Sequence, residues 1–291
     1  MEVPCFPQFT PLDLSLRQAL HPGLSLTPDG ISEYTFANLF LFRRRYKYQV
    51  SLIPDNCFVL SGEHDGKRFF MTPFSLPNRD ALMELLRTHD YWKCIPDAVL
   101  LPNQADLESW GIEIAEDRDN FDYLFLRAEL ADLTGKKYHK KRNHINAFLS
   151  ANSGHREERL TPQLIPQAMA ALDQWRQDKG EDGDYVAARE ALELFTELKL
   201  KGVLYLVNDE PIGYCLGESL AKGRMFAVHF QKGIDAYRGI YQYMNQAFPA
   251  YLPNYYTHLN WEQDLGDPGL RQAKMTYRPV GFVKKSTGKL I

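Results

Sequence analysis

The chain is 291 residues long, with 44% hydrophobic and 24% charged residues and a formal net charge of −3. That length predicts roughly two domains, each with its own core, and the near-neutral balance excludes a protein that coats nucleic acid indiscriminately, so any basic surface has to be local. Cys5, Cys57, Cys94 and Cys215 form no CxxC pair, which argues against a zinc site or disulfide framework and predicts reduced thiols, and no apolar run is long enough to span a bilayer.

The N-terminal segment MEVPCFPQFTPLDLSLRQ carries an acid and prolines where a signal peptide needs a basic and then an apolar run, so a soluble, cytoplasmic protein is expected. Next, YKYQVSLI, CFVLSG and KRFFMTPF read as three short strands, separated by the turn signals Pro54-Asp55-Asn56 and Asp65-Gly66. Asn78 caps a helix with Leu82, Leu85 and Leu86 on one face. DAVLLP reads as a strand, Asn103 as the cap of a short helix through Trp110, Gly111 as its stop, and IEIAED as another strand.

The stretch KKYHKKRNHIN, residues 136–146, holds five Lys/Arg in its first seven positions. On a helix, Tyr138, Ile145, Phe148 and Leu149 make an apolar face, and Lys136, Lys137, Lys140, Lys141 and His144 fall largely outside it. Like charges at i,i+4 repel by about 0.3 kcal/mol per pair, so an anionic partner is expected for this helix. Thr161-Pro162 opens a further helix with Ile165, Ala168, Met169, Leu172 and Trp175 on its apolar face, ending near Gly180. A second runs from about Tyr185 to Leu200, and the acidic loop Glu181, Asp182 and Asp184 between them reads as solvated.

Then the first order returns. VLYLVN, IGYCLGESL and RMFAVHF are strands separated by Asn208–Pro211 and by Lys222-Gly223, and a helix follows from about Arg238 to Phe248, where Pro249 should end or kink it. YYTHLN is a strand, Asp267-Pro268 an N-cap with Pro at N1, and RPVGFVKK closes the series. Two halves sharing βββ-α-β-α-β order at a near-constant offset predict tandem copies of one fold. Two helices, a three-stranded meander and then β-α-β is the layout of a GNAT-type acyltransferase domain. The expected fold class is therefore α+β, with two tandem GNAT-like domains: 1–130, 155–291 carrying the site, and a basic bridging helix over 131–154.

The copies differ where the third strand meets its helix. PFSLPNRD in the first has no glycine, whereas HFQKGIDAYRGIYQ in the second has Gly233, Arg238 and Gly239. Backbone N–H groups at a glycine-fed helix N-terminus suit a phosphate or pyrophosphate, although strand-to-helix geometry alone can also require glycine. In NWEQDLGDPGLRQAK, Asn260, Glu262, Gln263 and Asp264 cluster at a strand's carboxyl end, where ligand sites of mixed folds open. Glu262 or Asp264 could accept the proton of an attacking amine or hydroxyl, or instead cap the next helix or pair with Arg271 and Lys274. His229, on the strand before the glycine joint, could act as a base or bind a ligand, or be a satisfied core residue.

The segments LTGKKYHKKRNHINAFL, YRGIYQYMNQAF and, most specifically, NWEQDLGDPGLRQAKMTYRP resemble bacterial proteins that share the C-terminal domain of phosphatidylglycerol lysyltransferases. The resemblance runs from EYTFANLFLFRRRYKYQV to the last strand, and such proteins are similar in fold to the Fem-type aminoacyltransferases, with two GNAT-like domains in tandem. It implies transfer of an aminoacyl group from aminoacyl-tRNA, or of an acyl group from a coenzyme A thioester, to an amine or hydroxyl. No cofactor is implied beyond that co-substrate. By position, Gly233, Tyr237, Arg238, Gly239 and Tyr241 would face the donor's phosphates or the 3′ end of tRNA. Lys136, Lys137, Lys140, Lys141 and Arg142 would meet phosphates of the donor or of a lipid head group, and Asn260, Gln263, Arg271 and Lys274 would position the acceptor. The lysyltransferases that modify lipid carry a long transmembrane portion that this sequence lacks, so small-molecule, peptide and lipid head-group acceptors all stand. The rival expectations are acetyl-CoA-dependent N-acetylation and non-catalytic binding of tRNA or another polyanion.

Overall fold

A computed structural model gives the structure and describes residues 3–53, 57–180 and 182–291. The turn read at Pro54–Asn56 and the Glu181 position lie outside the described residues. Strands β1 (Thr10–Pro11), β2 (Gln49–Ile53), β3 (Cys57–His64), β4 (Lys67–Met71), β5 (Tyr91–Pro96) and β6 (Ile112–Glu116) come first. They are followed by β7 (Asp122–Leu126), β8 (His155–Arg159), β9 (Lys201–Val207), β10 (Glu210–Leu220), β11 (Met225–Gly233), β12 (His258–Asn260), β13 (Gly281–Val283) and β14 (Lys285–Leu290). Among the described residues they form two seven-stranded sheets, ordered β1-β2-β3-β4-β5-β14-β6 and β13-β7-β12-β11-β10-β9-β8. Each holds an antiparallel meander, β2-β3-β4 or β9-β10-β11, whose last strand pairs in parallel with the strand that follows its helix. Those helices are Arg79–Thr88 and Ile240–Tyr251, so the architecture is α+β and repeats the expected order.

The sheets exchange strands. β7 comes early in the chain yet lies between β12 and β13, while C-terminal β14 lies between β5 and β6. RPVGFVKK is consequently two strands in different sheets, and cuts at 130 or 154 do not give two self-contained sheets. The exchange is held by Lys285, the first residue of β14, whose buried ammonium pairs with Glu33 and lies 2.7 Å from Asp122 at the start of β7. Burial alone would lower the Lys285 pKa, but these two carboxylates outweigh it and raise it. One hydrophobic core also crosses between the halves, joining Phe36 and Phe40 to Leu172, Ala188 and Phe230.

Several local expectations move. YWKCIP, not DAVLLP, makes the strand. Pro96 closes it in extended backbone, and Asp97 starts helix Asp97–Ser109 with an acid where the helix dipole favours one. Asn103 is inside that helix, its Nδ2 donating to Val99 O at 2.7 Å, and Trp110 and Gly111 (φ +75°) end it as expected. The helix expected from Arg238 starts at Ile240 and carries Pro249 in its last turn, where the ring removes one amide bond without stopping it. The helix opening at Tyr185 ends at Glu193. Basic helix His139–Ala151 forms after a short 3-10 turn and buries Tyr138, Ile145 and Phe148.

Candidate active site

β11 and β12 pair only between Met225–Ala227 and His258–Asn260. Beyond that pairing, Val228, His229 and Gln231 line a cavity of about 500 Å³. The second half also contributes Glu262, Gln263 and Lys274 to its wall, and the first half contributes Glu33, Asn38 and Lys93. His229 is the extra residue of a bulge, because Leu216 pairs with Phe230 while Gly217 pairs with Val228. A Cβ on Gly217 would sit 1.8 Å from Ala227 O, so only glycine fits opposite the bulge. Bulges re-aim side chains, and here His229 reaches Glu218 across the strand pair at 3.1 Å through Nε2.

The other ring nitrogen, Nδ1, lies 2.7 Å from Glu262 Oε1, which also accepts from Asn38 Nδ2 at 3.1 Å. Burial by itself depresses the His229 pKa, but the hydrogen bonds and charges of Glu218 and Glu262 outweigh it and push the ring up to about 10. At neutral pH His229 is therefore an imidazolium with both N–H groups engaged. This corrects the expectation of a base: His229 orients Glu262. Glu262 Oε2 has no partner among the described residues. Its backbone sits at φ +55°, a left-handed conformation that costs about 1–3 kcal/mol for a residue with a side chain and persists only where the surroundings impose it. They do so through Asn260 Oδ1, which accepts from the Glu262 amide at 2.7 Å, and through Lys274. The Lys274 ammonium donates to the carbonyls of Trp261 at 2.6 Å and Gln263 at 2.5 Å, with Glu262 O at 3.3 Å. Burial pushes Lys274 down to about 8 despite the nearby carboxylates.

Asp264 has a different job. Its carboxylate is fully buried, does not line the cavity, and accepts from Tyr123 Oη at 2.5 Å, Arg271 Nη2 at 2.7 Å and Nε at 2.9 Å, and the Gly266 amide at 2.9 Å. Burial alone would raise its pKa, but those donors hold it far below the usual carboxylate range, which removes it as a proton acceptor. Asp264 and Arg271 instead brace the loop bearing Glu262, and Arg271 adds an ion pair to Asp119 at 2.7 Å. Asn260 and Gln263 link the halves: both donate to Asp122, at 3.0 and 2.8 Å, and Asn260 also donates to Gly30 O at 2.8 Å. Burial raises Asp122 to about 6, against the opposing pull of Lys285.

The glycines of the joint are occupied by packing. A Cβ on Gly239 (φ +93°) would come within 2.6 Å of His144 O in the basic helix, and one on Gly233 within 2.8 Å of Met244 Cε. Tyr241 Oη donates to Gly233 O at 3.1 Å, and Tyr241, Gln242 and Asn245 from the helix's first turns do line the cavity. Arg238 is exposed and Tyr237 packs on the second core, both off the cavity. Of the five expected cations only Lys141 lines it, half-buried over the Tyr277 ring at 4.0 Å and donating to Thr276 Oγ1 at 2.8 Å. Lys136 and Lys140 are exposed, Lys137 pairs with Glu129, and Arg142 Nη1 donates to the carbonyls of Leu133 at 2.5 Å and Gly135 at 2.8 Å. The lining as a whole is cationic: Arg45, Lys93, Lys141, Lys232 and Lys274 face Glu33, Asp184 and Glu262, with charged His229 besides. Glu218, Asn38 and Lys93 were not singled out from sequence. A lone acid in the apolar strand IGYCLGESL was a usable signal for Glu218, whereas Lys93 lies in a strand with no motif and Asn38 in EYTFANLFLFRRRYKYQV, where no residue stands out chemically.

A conserved protein of unknown function from Bacteroides thetaiotaomicron has a similar crystal structure, with TM-score 0.85 and 27% identity over 97% of this chain and 99% of that one. The C-terminal domain of a lysylphosphatidylglycerol synthetase from Agrobacterium fabrum superposes at TM-score 0.62, with 12% identity over 95% of this chain and 92% of its own. FemX matches at TM-score 0.60, with 10% identity over 94% and 96% of the two chains. At those identities the last two establish shared fold, two GNAT-like units in tandem. The sequence itself matches the family described as phosphatidylglycerol lysyltransferase, C-terminal, over residues 25–287, and the chain belongs to that family.

Proposed function

We propose that the protein transfers an aminoacyl group from the 3′ end of a charged tRNA to an amine or hydroxyl acceptor bound in the cavity between its halves. The observation that carries this reading is Glu262. Its carboxylate is fixed by His229 and Asn38, its backbone is held in a strained conformation, and one oxygen is open to the cavity. Acceptor attack on the ester carbonyl forms the new C–N or C–O bond and breaks the bond to the ribose oxygen. Glu262 takes the acceptor's proton and returns it to the leaving hydroxyl. Backbone N–H groups on the edge of β11 beyond Ala227, where pairing to β12 has ended, would stabilise the oxyanion.

A polyanionic donor agrees with a cationic cavity in a chain of net charge −3. Coenzyme A fits less well, since the glycines a pyrophosphate loop would use are filled by Met244 and the basic helix. For the acceptor, family membership favours a lipid or peptide. Among the described residues no helix is long and apolar enough to cross a membrane. Glu262→Gln should lower transfer about 100-fold or more while circular dichroism still shows a folded protein at the assay temperature, whereas full activity in that variant would remove Glu262 from the chemistry.

A further inference from the structure

The first half's share of the cavity wall contains a buried charge to which no step above gives a partner. Lys93, on β5, is only 6% exposed, and its ammonium lies 5.1 Å from the Tyr46 ring and 5.0 Å from that of Phe69. Among the described residues it has no hydrogen bond and no ion pair. The nearby carboxylate of Glu33 is already taken by Lys285, by Ser32 Oγ at 3.3 Å and by Cys94 Sγ at 3.4 Å. Burial would depress the Lys93 pKa, but Cys94, Glu33 and its tyrosine neighbours raise it, so the group stays charged. Arg45 stands at the mouth over the same Tyr46 ring, at 5.6 Å. It too is unpaired among the described residues, while Arg43 and Arg44 both pair with Glu190. A buried ammonium with no direct ion pair is costly unless an anion completes it, and exposed Arg45 adds a second positive charge at the same end of the cavity.

We infer that Lys93, assisted by Arg45, is an oxyanion subsite that takes a phosphate or carboxylate carried by the acceptor, in the cavity that Glu262 also lines. The inference rests on the proposed transfer for the word acceptor and deepens it. It makes the acceptor an anionic molecule whose charged group and nucleophile are held by different residues of one cavity. The flanking Tyr46 and Phe69 rings leave the ammonium little water, which strengthens its pairing with an anion and discriminates against neutral acceptors.

The test is binding without turnover. Titrating the full chain with glycerol 3-phosphate and with succinate at low ionic strength should stabilise it, and Lys93→Met should weaken that binding at least tenfold. Lys93→Arg should keep it within about threefold, a loss of about 0.65 kcal/mol or less. Lys67→Met, at an exposed hairpin lysine, should leave it unchanged. Lys93-dependent flotation with vesicles of anionic phospholipid would place the phosphate on a lipid head group, and binding of glycerol 3-phosphate without flotation would place it on a soluble acceptor. Both results support the subsite. Equal binding by wild type and Lys93→Met, or an equal loss in Lys67→Met, would overturn it. Because no turnover is read, an inactive Glu262 would leave this result standing, and failure here would leave Glu262 untouched.

Discussion

Within NWEQDLG, two neighbouring acids do opposite work. Glu262 keeps an open oxygen in the cavity, and Asp264 spends both oxygens on Tyr123, Arg271 and the Gly266 amide. Asp264→Asn should therefore cost about 3 kcal/mol, because guanidinium and phenol donors lose a buried charge, and transfer should fall only as Glu262 loses its position. Chemical denaturation and kcat measured on the same variant separate that outcome from a direct chemical role. His229 adds a pH signature. Its pKa is raised from 6.5 unfolded to about 10 folded, so its contribution to stability is complete below pH 6.5 and is lost as pH rises through 10. The stability gap between wild type and His229→Gln should narrow between those values, and the imidazole should titrate near 10 by NMR. Sequence located this cluster but could not divide its labour. Which carboxylate faces the cavity depends on a left-handed turn at Glu262, which no side-chain pattern announces.

The joint between β11 and helix Ile240–Tyr251 shows why a glycine motif underdetermines its purpose. Gly239 has φ +93° and touches the backbone of the basic helix at His144, so the two helices meet through that glycine. Gly239→Ala should destabilise the protein by about 2 kcal/mol through strain and the clash with His144 O, read as a lowered midpoint in denaturant. Helix His139–Ala151 was legible as an ordered amphipathic element because Tyr138, Ile145 and Phe148 fall on one stripe. The destinations of its cations were not legible. Arg142 caps carbonyls and Lys137 finds Glu129, which leaves Lys141 to face the cavity. DAVLLP misled for a related reason, since an apolar run of that length suits a strand or a helix equally and the strand had already been made by YWKCIP.

For the molecule as a whole, the repeat was visible because hairpin turns and caps recur at one offset. The exchange of β7 and β14 was invisible, since strand partners far apart in sequence leave no local mark. The exchange makes the halves one cooperative unit, and it places the first-half residues Asn38 and Lys93 in the wall of a second-half site. Removing residues 285–291 should therefore destabilise both sheets together. Circular dichroism should show a single, strongly lowered transition, whereas independent halves would show the second unfolding as in the full chain. The most direct measurement uses charged tRNA labelled in its aminoacyl group, incubated with the full chain and with lipid and small-molecule fractions as acceptors. Wild type should move label from tRNA into a non-tRNA product, and Glu262→Gln should do so about 100-fold more slowly while remaining folded at the assay temperature. Equal transfer by both proteins, or no transfer from any charged tRNA while a coenzyme A thioester is consumed, would contradict the proposed reaction.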